Sequence, residues 1–178
     1  MSNIKISSDL ELVAPNPTRD APFALAWFDS PDGKDTLLKM GNAESEIETR
    51  TLEGEYSILE EFIRLEQDSK QITRMIRLKD RTIGAVWIGL EDTEHLKAPA
   101  LHIMIGDPSS RGMGIGKVVM EAMLNFAQTQ LHVNVVYSRH LTSNRVIAKV
   151  NDYLGFQKDG NPYTEKNGQI FQNVRLNK

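Results

Sequence analysis

The sequence predicts an α/β fold, a mixed, mostly antiparallel central sheet with helices on both faces. Three observations predict it. Thr51 to Gln67 repeats its apolar residues at helical spacing, whereas Ile72 to Leu90 alternates with a period of two. Lys79-Asp80-Arg81 interrupts that alternation where a hairpin would turn. Beyond it, short apolar runs alternate with two amphipathic segments that begin at Ile115 and Asn144.

Leu10 to Val13 reads as a short strand ended by Pro15 and Pro17. Thr18 or Asp20 is placed to cap a helix through Trp27 and Phe28, which Ser30-Pro31-Asp32-Gly33 would stop. A second helical piece, Lys34 to Met40, closes at Gly41-Asn42, and Ala43 to Arg50 is a polar loop. In the helix Thr51 to Gln67, Leu59, Phe62 and Ile63 point inward and Glu60, Glu61 and Arg64 outward. The hairpin strands follow, then Leu101 to Ile105 after Ala98-Pro99. From Ile115 to Gln130, residues Ile115, Val118, Val119, Ala122, Met123 and Phe126 make one apolar stripe. Val133 to Ser138 is a strand, and the helix from Asn144 is expected to bury Val146, Ile147, Val150, Tyr153 and Leu154. A strand at Phe156 to Lys158, a turn at Gly160-Asn161-Pro162 and a strand from Ile170 to Leu176 complete the chain. That last strand either ends a sheet or pairs across a homodimer.

The 178 residues make one domain, long enough to bury about 70% of the unfolded surface. A net charge of −3 leaves no electrostatic footprint for nucleic acid. The absence of cysteine excludes disulfides, zinc–thiolate sites and cysteine nucleophiles, and no metal site is expected. The longest apolar run, near Thr82 to Leu90, is far short of a membrane span, and residues 1–10 lack a basic-then-apolar signal pattern. The expectation is a cytoplasmic protein that binds neither membrane nor nucleic acid.

The most informative segment is Arg111-Gly112-Met113-Gly114-Ile115-Gly116, between the strand Leu101 to Ile105 and the helix from Ile115. A glycine-rich turn there directs several backbone N–H groups at one point, where the positive end of the helix dipole also lies, and such a point binds phosphate. The nucleotide P-loop pattern fails, because Arg111 stands where its first glycine belongs and Val118 replaces its hydroxyl. The dinucleotide pattern G-x-G-x-x-G fails too, since Lys117 or Val119 falls at its third glycine.

The segment does fit R/Q-x-x-G-x-G/A and resembles the pyrophosphate loop of the GNAT superfamily of acyl-CoA-dependent N-acyltransferases. A second block, Asn144 through Leu154-Gly155-Phe156, resembles that family's later motif, in the family's order. The resemblance covers about Ile72 to Phe156 well and implies a GNAT-like sheet and acetyl-CoA as cosubstrate. It leans toward the ribosomal-protein N-acetyltransferase branch. It divides the domain, 1–178, into a helix-rich acceptor-side part (1–71), an acyl-CoA-binding core (72–156) and C-terminal strands (157–178).

The resemblance implies pantetheine contacts at Met104, Ile105 and Gly106, and loop contacts from Arg111, Gly112, Met113, Gly114, Ile115 and Gly116, with Lys117 adding charge or facing solvent. Gly106 either marks a bulge that turns an N–H toward the thioester carbonyl or begins the Asp107-Pro108 turn. Asn144 and Asn151 lie within about 60° of each other on their helix, so both face the cofactor or both face solvent. Many relatives carry a tyrosine seven residues after the helix-opening asparagine, where it protonates the leaving thiolate; this chain has Asn151. Asn151 or water would then assist the sulfur. His102, on the cofactor strand, is the candidate base; His140 is weaker, and His95 and His132 have no further argument. Glu44, Glu46 and Glu48 either bind an ammonium group or form a solvated stretch.

The leading reading is an N-acetyltransferase moving acetyl from acetyl-CoA to a primary amine by direct attack in a ternary complex. The acceptor is a protein or peptide amine or a small-molecule amine. The second reading is a non-catalytic acyl-CoA sensor, and the third a nucleotide-phosphate enzyme.

Overall fold

The computed structural model describes residues 3–29 and 31–177. Nine strands form one sheet in the order β1-β2-β3-β4-β5-β6-β9-β7, with β8 also paired to β9. They are β1 (Ile4–Lys5), β2 (Leu10–Val13), β3 (Gln71–Leu78), β4 (Arg81–Gly89), β5 (Ala100–Ile105), β6 (Val135–Leu141), β7 (Gln157–Lys158), β8 (Tyr163–Thr164) and β9 (Ile170–Asn177). The helices are α1 (Pro17–Phe28), α2 (Pro31–Lys39), α3 (Leu52–Gln67), α4 (Ile115–Gln130) and α5 (Arg145–Tyr153). Neighbouring strands are antiparallel except β5 and β6, which are parallel and meet in register only at Ala100 and Tyr137. Ser138 Oγ adds a bond to the Leu101 carbonyl at 2.8 Å, and beyond it the two strands diverge.

Strand alternation assigns two faces. On one, Val86, Ile88, Leu101, Val136 and Val174 pack against Val119, Met120, Met123 and Leu124 of α4, with Ile147, Val150 and Leu154 of α5 alongside. On the other, Met75 and Ala85 pack against Ala21, Ala24 and Trp27 of α1 and Leu59 of α3.

Several boundaries depart from expectation for local reasons. Neither Thr18 nor Asp20 caps α1. Asn16 does, accepting from Arg19 N at 2.9 Å, while Asp20 Oδ2 reaches back to Asn16 N at 2.8 Å. Asp20 is fully buried, and Thr82 Oγ1 donates to it at 2.7 Å, which ties α1 to β4. Helix α2 begins at Pro31, so Pro31, Asp32 and Gly33 form its first turn where a helix stop was expected; Pro suits that position. Ser30 lies outside the described residues. Thr51 caps α3 as its pattern requires, accepting from Gly54 N at 3.1 Å.

The stripe on α4 is rotated toward Met120, Leu124 and Ala127, all buried. Strand β6 starts two residues later than expected and runs on to Leu141. The largest correction concerns α5. Val146 is 77% and Tyr153 61% exposed, whereas Asn151 is completely buried. The solvent-facing alternative for Asn151 is therefore overturned. Strand β9 is held along one edge by β6 and along the other by β7 and β8, so among the described residues it neither ends the sheet nor offers a free edge for pairing across a homodimer. Among the described residues, no helix is long and apolar enough to cross a membrane.

Candidate active site

Divergence of β5 from β6 opens a cleft through the sheet. On the α4 face lies a cavity of ≈ 440 Å³, walled by Ile103 and Ile105 of β5, the glycine loop, Lys39 of α2 and Met40 just after it, and Val146 and Ile147 of α5. It shares Lys39, Met40, Ile103, Met120, Asn144 and Ile147 with a second cavity of ≈ 360 Å³ between the diverging strands, which Trp87, His102, Arg139, His140 and Phe171 also line. A third, of ≈ 350 Å³, opens on the far side among Glu46, Arg139, Glu165, Lys166 and Asn167. It shares Met40, Arg139 and Phe171 with the second, so the three cavities adjoin in a row from the glycine loop to the opposite face.

The glycine loop is built by backbone conformation. Gly112 and Gly114 have φ of 75° and 77°, in the left-handed region that glycine adopts without strain, and nothing lies within 4 Å of where a Cβ would stand. Among the described residues, the N–H groups of Gly112 to Gly116 donate to no protein acceptor; the next, Lys117 N, already reaches the Gly114 carbonyl at 3.2 Å. Five consecutive donors with the N-terminus of a sixteen-residue helix make an anion cradle. Asp107 supports it from below, accepting from Ser109 N at 3.0 Å, Ser109 Oγ at 2.7 Å and Ser110 Oγ at 3.1 Å. Burial works to raise the Asp107 pKa; these bonds and Arg81 outweigh it and hold the carboxyl below its ordinary value.

Arg111 acts here as a clamp. Its Nε donates to the Ile105 carbonyl at 3.0 Å, and its terminal nitrogen to the Gly106 carbonyl at 2.9 Å and Thr36 Oγ1 at 2.7 Å. One planar guanidinium thus fastens the end of β5 to α2 across the cavity wall. Gly106 and Asp107 both donate their N–H to the Ile83 carbonyl, at 2.9 and 3.0 Å, as in a bulge. The Gly106 N–H is thereby occupied and does not face a thioester. The absent side chain serves another purpose: a Cβ there would lie 2.2 Å from the Trp27 ring, so α1 seats directly on this backbone.

Ile105 lines the first cavity, whereas Met104 turns to the opposite core. Lys117 lines the cavity with its ammonium 3.4 Å from the centre of the Tyr153 ring. Asn144 caps α5, accepting from Ile147 N at 3.3 Å and donating to the Lys39 carbonyl at 3.2 Å. Met113, beside the loop, is 64% exposed. Asn151 lines none of these cavities; its Nδ2 sits 3.2 Å from His140 Nδ1 beneath the cleft wall.

His102 stacks on Trp87 at 5.3 Å and 18°. The ring keeps part of its surface, but that surface faces the cleft; burial, and then the Arg139 charge, pull its pKa down to about 4. His140 is also pulled below its ordinary value, mainly by burial. Arg139 donates to Tyr163 Oη at 3.0 Å and Glu165 Oε1 at 2.6 Å while lying over the Phe171 ring at 4.5 Å. The acidic run divides: Glu44 pairs with Lys34, Glu48 is exposed, and only Glu46, bound by Ala43 N and Asn167 Nδ2, borders the third cavity. His95 packs on Tyr163, and His132 follows α4 away from the cleft. Trp87, Arg139, Glu165 and Phe171 escaped the sequence reading because nothing local marks them; the topology brings them together.

The family model described as "Acetyltransferase (GNAT) domain" matches residues 9–157. The chain belongs to the GNAT acetyltransferase family. Membership makes it an acyl-CoA-dependent acetyltransferase that takes its acetyl group from acetyl-CoA. A relative, the N-acetyltransferase 9-like protein of Nematostella vectensis, is 26% identical over 172 residues, covering 87% of this chain and 81% of its own. Two solved GNAT structures share the fold. The microcin C7 self-immunity acetyltransferase MccE, in complex with acetyl-CoA and AMP, has a TM-score of 0.81 at 15% identity, over 98% of this chain and 95% of its own. The RimL ribosomal L7/L12 alpha-N-protein acetyltransferase, in complex with coenzyme A, has a TM-score of 0.82 at 16% identity, over 99% and 98%.

Proposed function

We propose that the enzyme acetylates a primary α-amine, by direct attack of the amine on acetyl-CoA with both bound in the three cavities. The observation that carries this reading is the row of adjoining cavities, each sharing wall residues with the next. A donor whose phosphates rest on the N–H groups of Gly112 to Gly116 runs along Ile105 and Ile103 and presents its thioester between the diverging strands. The amine approaches from the opposite mouth, past Arg139 and Glu165. No cysteine exists to carry an acyl group, so the nitrogen attacks the thioester carbon itself.

The preference for an α-amine follows from the weakness of the available base. With its pKa near 4, His102 is neutral at physiological pH and accepts a hydrogen bond, but it takes a proton from an ammonium group poorly. The amine must lose that proton mostly to solvent. At pH 7.5 this costs about 4 kcal/mol for a lysine-type amine of pKa near 10.4, and under about 1 kcal/mol for an α-amine of pKa near 8. The RimL relative, described as an alpha-N-protein acetyltransferase, agrees with this choice. Together the residues work as a single domain, α2 walling the donor cavity and the segment after it, from Met40 to Glu46, bordering the acceptor side.

Thermal unfolding tests the donor site first: acetyl-CoA at 100 times its dissociation constant stabilises by about 2.7 kcal/mol, or roughly 5–10 °C, and ATP or NAD at equal concentration does not. Thiol release then tests the acceptor. A serine-initiated peptide with a free N-terminus should react on the order of 100-fold faster at pH 7.5 than the same peptide Nα-blocked and carrying a lysine. Faster reaction of the lysine peptide would refute the α-amine assignment. A burst of thiol from acetyl-CoA without any amine would refute direct attack.

A further inference from the structure

We infer that His140 donates a hydrogen bond from Nε2–H to the sulfur that leaves acetyl-CoA, and that the buried Asn151 amide is the positioning residue that fixes the ring for this task. The inference rests on the proposed path of acetyl-CoA through the cleft.

Asn151 is fully buried on α5, and its Nδ2 lies 3.2 Å from His140 Nδ1. With the Asn151 amide in this orientation its nitrogen donates, which assigns Nδ1 as the acceptor and puts the single proton of the neutral imidazole on Nε2. Oδ1 of Asn151 is buried with no donor among the described residues. An apolar side chain would fill the position without leaving a carbonyl short of a partner. Packing therefore gives no reason for an amide at this place, whereas control of the His140 tautomer does.

The faces of the sheet put His140 on the side where the sulfur arrives. Alternation along β6 turns Ser138 and His140 to the face of α4 and α5, with Leu101 and Ile103 of β5. Arg139 turns with His102 and Trp87 to the opposite face. A donor lying along Ile105 and Ile103 brings its sulfur to the His140 side of the gap, and the amine comes from the His102 side. As the nitrogen lone pair forms the C–N bond, the C–S bond breaks and its electron pair leaves on sulfur. Nε2–H stabilises that thiolate and keeps its proton; the surplus amine proton goes to solvent. The charged and titratable groups around the ring are Arg139 on its own strand, Asp152 on α5, Lys158 on β7, His102 on β5 and Lys39 on α2.

The test needs no acceptor and uses CoA itself as the probe. Thiolate absorbance of bound CoA is followed against pH in the unaltered enzyme, His140→Phe, His140→Gln and Asn151→Leu, with CoA-induced thermal stabilisation showing that each still binds. The bound thiol should ionise about tenfold more readily in the unaltered enzyme than in His140→Phe, since a hydrogen bond to a charged acceptor is among the stronger ones. His140→Gln, which keeps an N–H, should recover part of this, and Asn151→Leu should fall between. Arg139 and Lys39 are common to all four proteins, so their field cancels in the comparison. Nitrogen-15 spectra of the unaltered enzyme should show His140 in the Nε2–H form, which tests the role of Asn151 even if its variant does not fold. Equal ionisation in His140→Phe and the unaltered enzyme, or a Nδ1–H tautomer, would overturn the inference. Failure of the unaltered enzyme to bind CoA would instead overturn the assignment of the cleft.

Discussion

The two mouths of the cleft are built on different principles. The glycine-loop mouth is made of main chain: consecutive N–H groups, two left-handed glycines and a helix N-terminus, all within residues 111–117. The opposite mouth is made of side chains that come from β4, β5, β6, β9, the turn between β8 and β9 and the turn after α2. A backbone site needs a local conformation, so its residues are contiguous and its glycines are dictated. A side-chain site needs only convergence in space, and any strand whose alternation points the right way can supply it.

That contrast predicts how each mouth fails. The largest effect should come where the end of β5 seats on α1. Gly106→Val sets a side chain where a Cβ alone would meet the Trp27 ring at 2.2 Å, with backbone and α1 packed on both sides. Overpacking of this kind costs about 1–3 kcal/mol or more, so urea unfolding should show that loss together with weakened acetyl-CoA binding. Wild-type stability in this variant would mean that α1 moves away freely and does not seat on the Gly106 backbone.

Within the donor mouth, Gly114→Ala tests conformation separately from space. No atom stands within 4 Å of the added Cβ, so any loss comes from forcing a left-handed φ of 77° on alanine. At about 1–2 kcal/mol, this should weaken acetyl-CoA binding roughly 5- to 30-fold by calorimetry if the loop relaxes to escape the strain, while amine KM stays fixed. A change in amine KM instead would show that the two mouths are not separable.

The same contrast explains what could be read from the chain. The strand, glycine loop and helix Ile115–Gln130 were legible because each carries a local signature: alternation, obligate glycine, helical period. The hairpin β3–β4 was legible for the same reason. The face of α5 was not. Apolar periodicity put Val146 and Tyr153 inside, but the helix lies at the lip of a cleft, where an exposed valine borders the cavity and a buried asparagine meets His140. Near a site the usual exchange of apolar-in for polar-out is relaxed, so hydrophobic pattern misassigns the face there. Likewise Arg111 has the sequence position of a phosphate ligand, yet its donors go to Ile105, Gly106 and Thr36. Only the approach of α2, more than 70 residues earlier in the chain, reveals that (Arg111 to Thr36 spans 75 positions).

The acceptor mouth should respond in the reverse sense. Arg139→Met keeps much of the side chain's contact over Phe171 but removes the bonds to Tyr163 and Glu165. Amine KM should rise about tenfold, while acetyl-CoA stabilises the variant as it does the parent. A loss of acetyl-CoA binding, with amine KM unchanged, would reverse the assignment of the two mouths.

The smallest effect is a pH dependence that only the crowded mouth can produce. His102 has a folded pKa of about 4, below its unfolded value near 6.5, because burial and Arg139 penalise the imidazolium. Between those values the unfolded chain takes up a proton that the folded chain refuses. Stability from this group is therefore complete above about pH 6.5 and is lost progressively as the pH falls toward 4. At pH 5.5 the loss is roughly 1 kcal/mol after allowance for solvent screening. His102→Gln should abolish it, so the gap between parent and variant in urea midpoint should narrow on going from pH 7.5 to 5.5. In kinetics the same argument removes a limb: kcat/KM should show no ionisation of the enzyme near 6.5 and should climb with the ionisation of the amine. An ionisation near 6.5 that vanishes in His102→Gln would mean that the ring titrates as freely as in water and that Arg139 is not felt across the cleft.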